Sequence, residues 1–263
     1  DGSRAIDCLQ QDRFHVGAMT TISLALGSGG ARGLAHIGVI RWLTENGYDI
    51  RSVAGSSMGA LVGGIHATGR LDVYAEWVQT LERFQMVRLL DPAFGRMGLF
   101  KGDRIIGVLR ELIGQFDTEN LPISFTAVAE DLASGEEVWL REGDLFDAIR
   151  ASIAAPGIFT PFEFGGRKLR DGALVNPVPI DPIFDDRTAI RVAVSLNGPV
   201  NLAPSRFSED RVPDLTIEIP RNACGYHEFW RAEEMIAIGR ECAARAFAAA
   251  RQSETGMHCS LVR

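Results

Sequence analysis

The residue best placed for chemistry is a serine between two glycines. Residues 55–59 read GSSMG, with Ser57 between Gly55 and Gly59. This G-x-S-x-G spacing is typical of a nucleophile elbow, a strand-to-helix turn so tight that small residues must flank the serine. A serine that only caps the following helix would explain the same residues without catalysis. The motif therefore predicts a nucleophile but leaves a structural role open.

A glycine-rich loop precedes the elbow. Residues 27–33 read GSGGARG, and such a loop lets backbone N–H groups converge on a negative charge. A dinucleotide site would need an acidic residue at the end of the second strand, but the nearest candidate, Asp49, precedes that strand. An oxyanion hole would explain both glycine motifs with one chemistry. We favour it over a nucleotide site or a purely structural turn.

A serine hydroxyl needs a proton acceptor before it becomes a good nucleophile. In α/β-hydrolases the acid is followed by a histidine, and the histidines after position 171 are His227 and His258. Neither lies in a tightly turned setting, so we interpret both as structural, although the sequence leaves His227 open. His36 and His66 fall within predicted helices and are expected to serve packing or local hydrogen bonding.

Asp171 is a better candidate for the base. It lies in the sequence RDGA, between a short strand-like segment at 168–169 and an extended, proline-marked segment at 175–179. An ordinary Asp-Gly turn would account for the same residues. Taken alone, the tetrapeptide favours neither interpretation.

The surrounding elements alternate between strand and helix. An apolar, β-branched run at 21–26 ends at the glycine loop, a helical pattern follows at 33–46, and the order repeats with a strand at 50–54 and a helix at 60–68. This alternation predicts an α/β fold with a mainly parallel central sheet and helices on both faces. Further strands are predicted at 123–130, 136–140, 190–196 and 214–219, helices at 71–83, 102–115, 144–153 and 228–251, and a loop at 197–213.

Three motifs in this order resemble the patatin-like phospholipases. They are residues 29–33 (GGARG), residues 55–59 (GSSMG) and residues 171–173 (DGA). Residues 34–39 (LAHIGV) and 171–179 (DGALVNPVP) look most like the bacterial branch related to the catalytic domain of neuropathy target esterase. The resemblance covers residues 21–196, with Ser28 at a position where the family usually has glycine.

The resemblance implies a three-layer α/β/α patatin-like fold and a Ser-Asp dyad without histidine. Ser57 would attack a carboxylic ester of a phospholipid, lysophospholipid or other acyl ester, and Asp171 would take its proton. Because an ordinary aspartate is a weak base, we expect partial burial to raise the pKa of Asp171. Neither a cofactor nor a metal is implied. The implied oxyanion donors are the N–H groups of Gly29, Gly30, Ala31 and Arg32, and the other motif glycines are Gly33, Gly55, Gly59 and Gly172.

The segment 84–100 is apolar and interrupted by turns, with only three charges. It could form a lid or acyl-chain wall that docks on lipid, since Met and Phe adapt to flexible chains. It could equally be core that covers a sheet edge. The sequence leaves both interpretations open.

Composition limits the class of protein. A net charge of −7 argues against a nucleic-acid partner, because that binding depends on clustered Lys and Arg. The four cysteines lack the spacing of a zinc site or a disulfide scaffold and suit a reducing cytoplasm. No uninterrupted run of apolar residues approaches the 18 that would predict a membrane-spanning helix. We expect an N-terminal extension at 1–20 and one hydrolase domain at 21–263, in the cytoplasm, with peripheral membrane contact and oligomeric state left open.

Two other functions use the same features. Acyl-CoA-dependent acyltransferases combine a serine elbow with a glycine-lined oxyanion hole and normally add a histidine base, for which His227 would be the candidate. A non-catalytic regulatory module could also keep the fold.

Overall fold

The computed structural model describes residues 20–93, 98–198 and 211–260. Residues 1–19 of the extension predicted over 1–20 and most of the loop predicted over 197–213 therefore lie outside the described residues, whereas Thr20 begins the first strand instead of ending an extension. The helices are α1 (Ala35–Glu45), α2 (Met58–Ala67), α3 (Leu71–Gln79), α4 (Arg83–Arg88), α5 (Asp103–Ile113), α6 (Leu145–Ser152) and α7 (Ala232–Ser260). The strands are β1 (Thr20–Leu26), β2 (Tyr48–Ser56), β3 (Ser124–Asp131), β4 (Glu137–Leu140), β5 (Phe162–Phe164), β6 (Arg167–Asp171), β7 (Ile190–Ser195) and β8 (Leu215–Glu218).

These strands form one sheet in the order β5-β6-β3-β2-β1-β7-β8, and β4 also pairs with β3. The strands β1, β2, β3, β7 and β8 run parallel, while β4, β5 and β6 pair antiparallel at one side. The predicted α/β class with a mainly parallel sheet is confirmed.

The sheet is buried on both faces, as expected for parallel strands with near-continuous apolar sequences. On β1, Leu24 and Leu26 join the larger core with the buried residues of α1 and α2, whereas Ala25 belongs to a smaller cluster. That smaller cluster is covered by a 3-10 helix, Asp181–Phe184. The layer on this face of the sheet is therefore thin. The site is built on the opposite face, where the helices pack.

Two local features differ from the predicted boundaries. The helix predicted over 71–83 ends at Gln79, and a separate helix, α4, begins after Glu82, whose capping box with Gln85 starts it. The short strand-like segment at 168–169 belongs to a β5–β6 hairpin. Its turn is formed by Gly165 and Gly166, both with positive φ, a pair that favours two-residue hairpins.

Candidate active site

Ser57 occupies the turn between β2 and α2. Its φ of 54° makes it the single non-glycine residue with positive φ in the described ranges, a conformation that costs free energy and clusters at functional sites. A Cβ atom on Gly55 would lie 2.3 Å from the Gly59 carbonyl carbon, and one on Gly59 would lie 2.0 Å from the Leu26 carbonyl oxygen. The elbow therefore requires both motif glycines.

The elbow is held by a buried serine from α6. The Ser57 N–H donates to Ser152 Oγ at 2.9 Å, and the Ser152 hydroxyl donates to the Val128 carbonyl oxygen at 2.6 Å. Ser152 is completely buried. The backbone of Ser57 is thereby connected to β3.

The structure brings Ser57 and Asp171 together. The Ser57 hydroxyl donates to Asp171 Oδ2 at 2.7 Å, and Asp171 Oδ1 accepts the Ala173 N–H at 2.8 Å. Burial raises the pKa of Asp171 to about 6, although the hydrogen bonds from Ala173 and Ser57 act to lower it. Such a carboxylate is ionised at neutral pH and is a stronger base than an exposed aspartate.

The position of Asp171 comes from the sheet. Asp171 ends β6, where it pairs with Ala129 of the antiparallel neighbour β3. Gly172 lets the chain turn against β3, since a Cβ atom there would lie 2.1 Å from the Val128 carbonyl oxygen. The strand β3 therefore anchors both Asp171 and the serine that holds Ser57.

The glycine loop leads into a 3-10 helix, Gly30–Leu34, beside the elbow. The N–H of Ser28 donates to Pro177 and the N–H of Ala31 donates to the Tyr226 carbonyl, at 2.9 and 2.8 Å. Within the described residues, the N–H groups of Gly29 and Gly30 make no hydrogen bond to another segment of backbone. Of the four predicted oxyanion donors, Ala31 alone donates its N–H to another segment in the described ranges, and the N–H groups of Gly29, Gly30 and Arg32 do not.

Arg32 and Gly33 connect the glycine loop to neighbouring segments. The Arg32 guanidinium donates to the Arg221 carbonyl oxygen at 2.7 Å and to Asn197 Oδ1 at 3.3 Å. Gly33 allows close contact with the elbow, because a Cβ atom there would lie 2.4 Å from Met58 Cβ. Ser28 is not one of the residues with a left-handed backbone. The departure from the usual glycine at position 28 therefore needs no left-handed backbone.

The histidines differ in their burial and in their contacts with the site. Buried His36 has its Nε2 2.7 Å from the Gly27 carbonyl oxygen, and burial lowers its pKa to about 4, so the neutral ring donates to the glycine loop. Burial also lowers the pKa of His66 to about 4. His227 lines the cavity beside Ser57 and contacts Trp230, but no hydrogen bond to Ser57 is found among the described residues. The side chain of His258 lies outside the described residues.

Ser57 opens onto an apolar cavity of about 410 Å³. A cavity of this size with few polar groups fits a hydrophobic ligand. Charged or titratable side chains are few along its wall, and most of its surface is aliphatic or aromatic. Lining residues from the helical side are Leu61, Tyr74, Trp77, Val78, Leu81, Met86, Val87, Leu89, Leu90, Ile105 and Leu109.

The described part of segment 84–100 forms one wall of this cavity. Met86, Val87, Leu89 and Leu90 line the cavity, and Phe84 and Val87 are also about two-thirds exposed. No residue of α4 is buried. The segment is therefore a cavity wall with apolar residues at its outer surface, and residues 94–97 lie outside the described residues.

Two contributors to the site, Ser152 and Tyr226, were absent from the sequence predictions. Neither belongs to a motif with a known spacing, and each contacts Ser57 or the glycine loop from a distant part of the chain. The sequence carried no local signal for either contact.

A mixed α/β sheet with a serine on a strand-to-helix elbow is the arrangement that α/β serine hydrolases use. A family model described as "Patatin-like phospholipase" matches residues 24–184. The chain belongs to this family.

The relatives that match this chain include proteins of the NTE family and a neuropathy target esterase. An uncharacterized NTE family protein of Mycobacterium tuberculosis is 49% identical over 197 residues, covering 75% of this chain and 54% of that protein. The Drosophila melanogaster neuropathy target esterase sws is 26% identical over 197 residues, covering 72% of this chain and 14% of that protein. The chain thus spans about half the length of the mycobacterial relative.

Among solved structures, VipD from Legionella pneumophila is one to which this chain was found similar. It has a TM-score of 0.48 and 13% identity, and the match covers 89% of this chain and 67% of that chain.

Among the described residues, no helix combines the length and apolar character needed to cross a membrane.

Proposed function

We propose that this chain is an esterase that cleaves carboxylic esters of lipids through an acyl-enzyme on Ser57. The observation that carries the proposal is the 2.7 Å hydrogen bond from the Ser57 hydroxyl to the buried Asp171 carboxylate, beside an apolar cavity. A general base needs a pKa near the working pH, and burial raises that of Asp171 to about 6. Family membership supports a lipid substrate.

In acylation, Ser57 Oγ attacks the ester carbonyl carbon while its proton passes to Asp171. The N–H groups of Gly29 and Gly30 then donate to the oxyanion, as rigid donors in a water-poor site do. When the tetrahedral intermediate collapses, the bond to the alcohol breaks and Asp171 returns the proton to the leaving oxygen. Water, activated by Asp171, hydrolyses the acyl-enzyme.

The apolar cavity supports a substrate with a long acyl chain. A phospholipid or lysophospholipid would insert one chain among the apolar side chains and leave its head group at the mouth. Exposed Phe84 and Val87 support contact between this wall and a lipid surface during uptake, since apolar side chains gain from leaving water.

Labelling with a fluorophosphonate probe tests the proposal. We expect labelling of the wild type and of Ser134→Ala, whose serine lies on an exposed turn, and no labelling of Ser57→Ala. Asp171→Asn should react far more slowly, because Ser57 would lose its proton acceptor. Labelling that persists in Ser57→Ala would refute Ser57 as the nucleophile.

Turnover assays separate the competing functions. Release of fatty acid from lysophospholipid or p-nitrophenyl esters supports hydrolysis, whereas acyl transfer from acyl-CoA to an added alcohol would favour an acyltransferase. A folded wild-type protein with neither turnover nor labelling would favour a regulatory module.

A further inference from the structure

The helix α4 presents apolar side chains to solvent. Phe84 and Val87 are about two-thirds exposed and lie three positions apart, so they share one side of the helix. A surface helix normally buries its apolar side against the rest of the protein. In α4 this side is left uncovered by the described residues.

The cavity opens at the same place. Val87 both lines the cavity and is largely exposed, and Tyr226 also lines it and is nearly half exposed. A side chain that borders both the cavity and the solvent lies at an opening. Any surface that covers Phe84 and Val87 therefore also lies at the entrance to the cavity of Ser57.

The charged residues of α4 are all basic. Its sequence, RFQMVR, contains Arg83 and Arg88 and no acidic residue, although the whole chain has a net charge of −7. The Arg83 guanidinium lies 4.4 Å from the centroid of the Trp230 ring, and that of Arg88 lies 4.6 Å from the centroid of the Phe84 ring. Neither forms an ion pair with a carboxylate of the described residues. Both guanidinium groups therefore keep N–H donors for an external anion.

The acidic residues that flank α4 are bound to backbone instead. The Glu82 side chain accepts a backbone N–H in the capping box of α4. Asp91 accepts the N–H groups of Gly102, Asp103 and Arg104, at 2.6, 2.9 and 3.1 Å. These carboxylates serve the starts of α4 and α5 and leave the two arginines of α4 unpaired.

We propose that α4 docks on a bilayer that contains anionic lipid. Phe84 and Val87 insert among the acyl chains, while Arg83 and Arg88 bind lipid phosphate groups, which guanidinium groups suit well. Basic and apolar side chains on one helix are typical of helices that lie in the membrane interface. The inference rests on the proposed esterase function, because it states where that enzyme meets its lipid substrate.

The position of the cavity mouth favours a bilayer over a protein partner. A protein seated on α4 would cover the entrance, whereas a bilayer delivers the substrate there without passage through water. Because most of this acidic chain is repelled by an anionic surface, the two arginines favour the orientation in which the mouth faces the lipid.

Vesicle co-sedimentation tests the inference, with Ser57→Ala in every protein so that the lipid is not hydrolysed. We expect binding to vesicles of phosphatidylcholine mixed with phosphatidylglycerol, and much weaker binding to phosphatidylcholine alone. Arg83→Gln/Arg88→Gln should weaken binding to the mixed vesicles about 25-fold, since each arginine near an anionic surface contributes about fivefold. The matched control is Arg70→Gln/Arg187→Gln, which removes two exposed arginines outside the cavity lining and should leave binding unchanged.

A second pair of variants tests the apolar contribution. Phe84→Ser should weaken binding to the mixed vesicles about tenfold, because it removes an inserted ring. Val212→Ser, at an equally exposed valine outside the cavity lining, should not. With Ser57 restored, both variants should hydrolyse soluble p-nitrophenyl butyrate at the wild-type rate, since neither side chain lines the cavity.

Three results would overturn the inference. They are equal binding to the two kinds of vesicle, equal binding by the two double-arginine variants, and self-association that Phe84→Ser abolishes, which would assign this face to a second copy of the chain. Vesicle binding does not depend on turnover. Binding without labelling or turnover in the wild type would instead refute the proposed esterase function, which is a distinguishable result.

Discussion

The backbone N–H of Ser57 lies 2.9 Å from the Ser152 hydroxyl oxygen, so a side chain at the end of α6 holds the peptide of the strained elbow. A non-glycine residue in a sparsely populated backbone region costs about 1–3 kcal/mol and persists only where its surroundings fix it. Ser152 supplies such a contact because its own hydroxyl is anchored on Val128. The orientation of Ser57 therefore depends on a residue 95 positions away.

Ser152→Ala should weaken both stability and activity. It leaves the Ser57 N–H and the Val128 carbonyl without their partner, which should lower the free energy of unfolding by about 1–3 kcal/mol. We expect kcat to fall at least tenfold, because the hydroxyl of Ser57 moves relative to Asp171. Chemical denaturation and ester turnover measure the two effects.

The control for this prediction is Ser23→Ala. Ser23 is equally buried, and its Oγ lies 2.8 Å from Thr188 Oγ1, away from the site. It should lose comparable stability and keep its turnover. Equal losses of activity in the two variants would mean that Ser152 acts through stability alone.

The pH dependence of the reaction should report Asp171. Because the ionised form accepts the proton of Ser57, kcat/KM should rise with pH around a midpoint near 6 and level off above pH 7. Asp171→Asn should abolish this rise together with most of the activity. A pH-rate profile with a midpoint near 4 would contradict a buried Asp171 as the base.

The same carboxylate should lower stability at neutral pH. Because burial raises the pKa of Asp171 from 3.8 to about 6, the native state binds more protons than the unfolded state between these values. Stability from this group is therefore present at low pH and is lost as pH rises through 6. Asp171→Asn should be more stable than wild type by about 3 kcal/mol at pH 8, the equivalent of the pKa difference, and this gain should shrink toward pH 4. Urea denaturation at both pH values tests the sign, and equal differences at the two would contradict it.

The sequence predicted those residues of the candidate site that lie within short motifs. Ser57 and Asp171 each carry short motifs whose glycines are required by backbone contacts of 2.0–2.3 Å. The contact between the two residues depends on the antiparallel pairing of β6 with β3, for which residues 168–169 gave only a weak signal. Ser152 and Tyr226 were missed because their contacts join distant segments and leave no spacing in the sequence.

The fold was predictable to within a few residues for strands with apolar, β-branched runs. The division between α3 and α4 was missed because apolar periodicity continues through it, while the capping contacts of Glu82 and Gln85 interrupt the helix. The β5–β6 hairpin was also missed, although its Gly165-Gly166 pair is a recognised turn signal. Short antiparallel strands at a sheet edge carry too few residues for periodicity to identify them.

Gly30→Ala should impair activity more than stability. Gly30 has a φ of +59°, and an added Cβ atom would lie 2.5 Å from the Tyr226 carbonyl oxygen. Gly69→Ala is the matched control, because Gly69 has a φ of +76° with no atom nearby. Both should lose roughly 1–2 kcal/mol of stability from the left-handed backbone. Gly30→Ala should lose more because its Cβ atom clashes with Tyr226, and it alone should displace the loop and lower kcat. A fully active Gly30→Ala would contradict the oxyanion role of this loop.

A larger side chain in the cavity should shorten the acyl chain that the enzyme prefers. Leu81 lies between α3 and α4 and lines the cavity, so Leu81→Trp should occupy space available to the distal methylenes of a substrate. Leu112→Trp is the control, because Leu112 is a half-buried leucine of α5 outside the lining. We expect Leu81→Trp to lower kcat/KM for a C16 ester at least tenfold, with little effect on a C4 ester, because each buried methylene contributes about 0.8 kcal/mol. Leu112→Trp should leave the ratio of the two rates unchanged. An unchanged chain-length profile in a folded Leu81→Trp would mean that the acyl chain binds elsewhere.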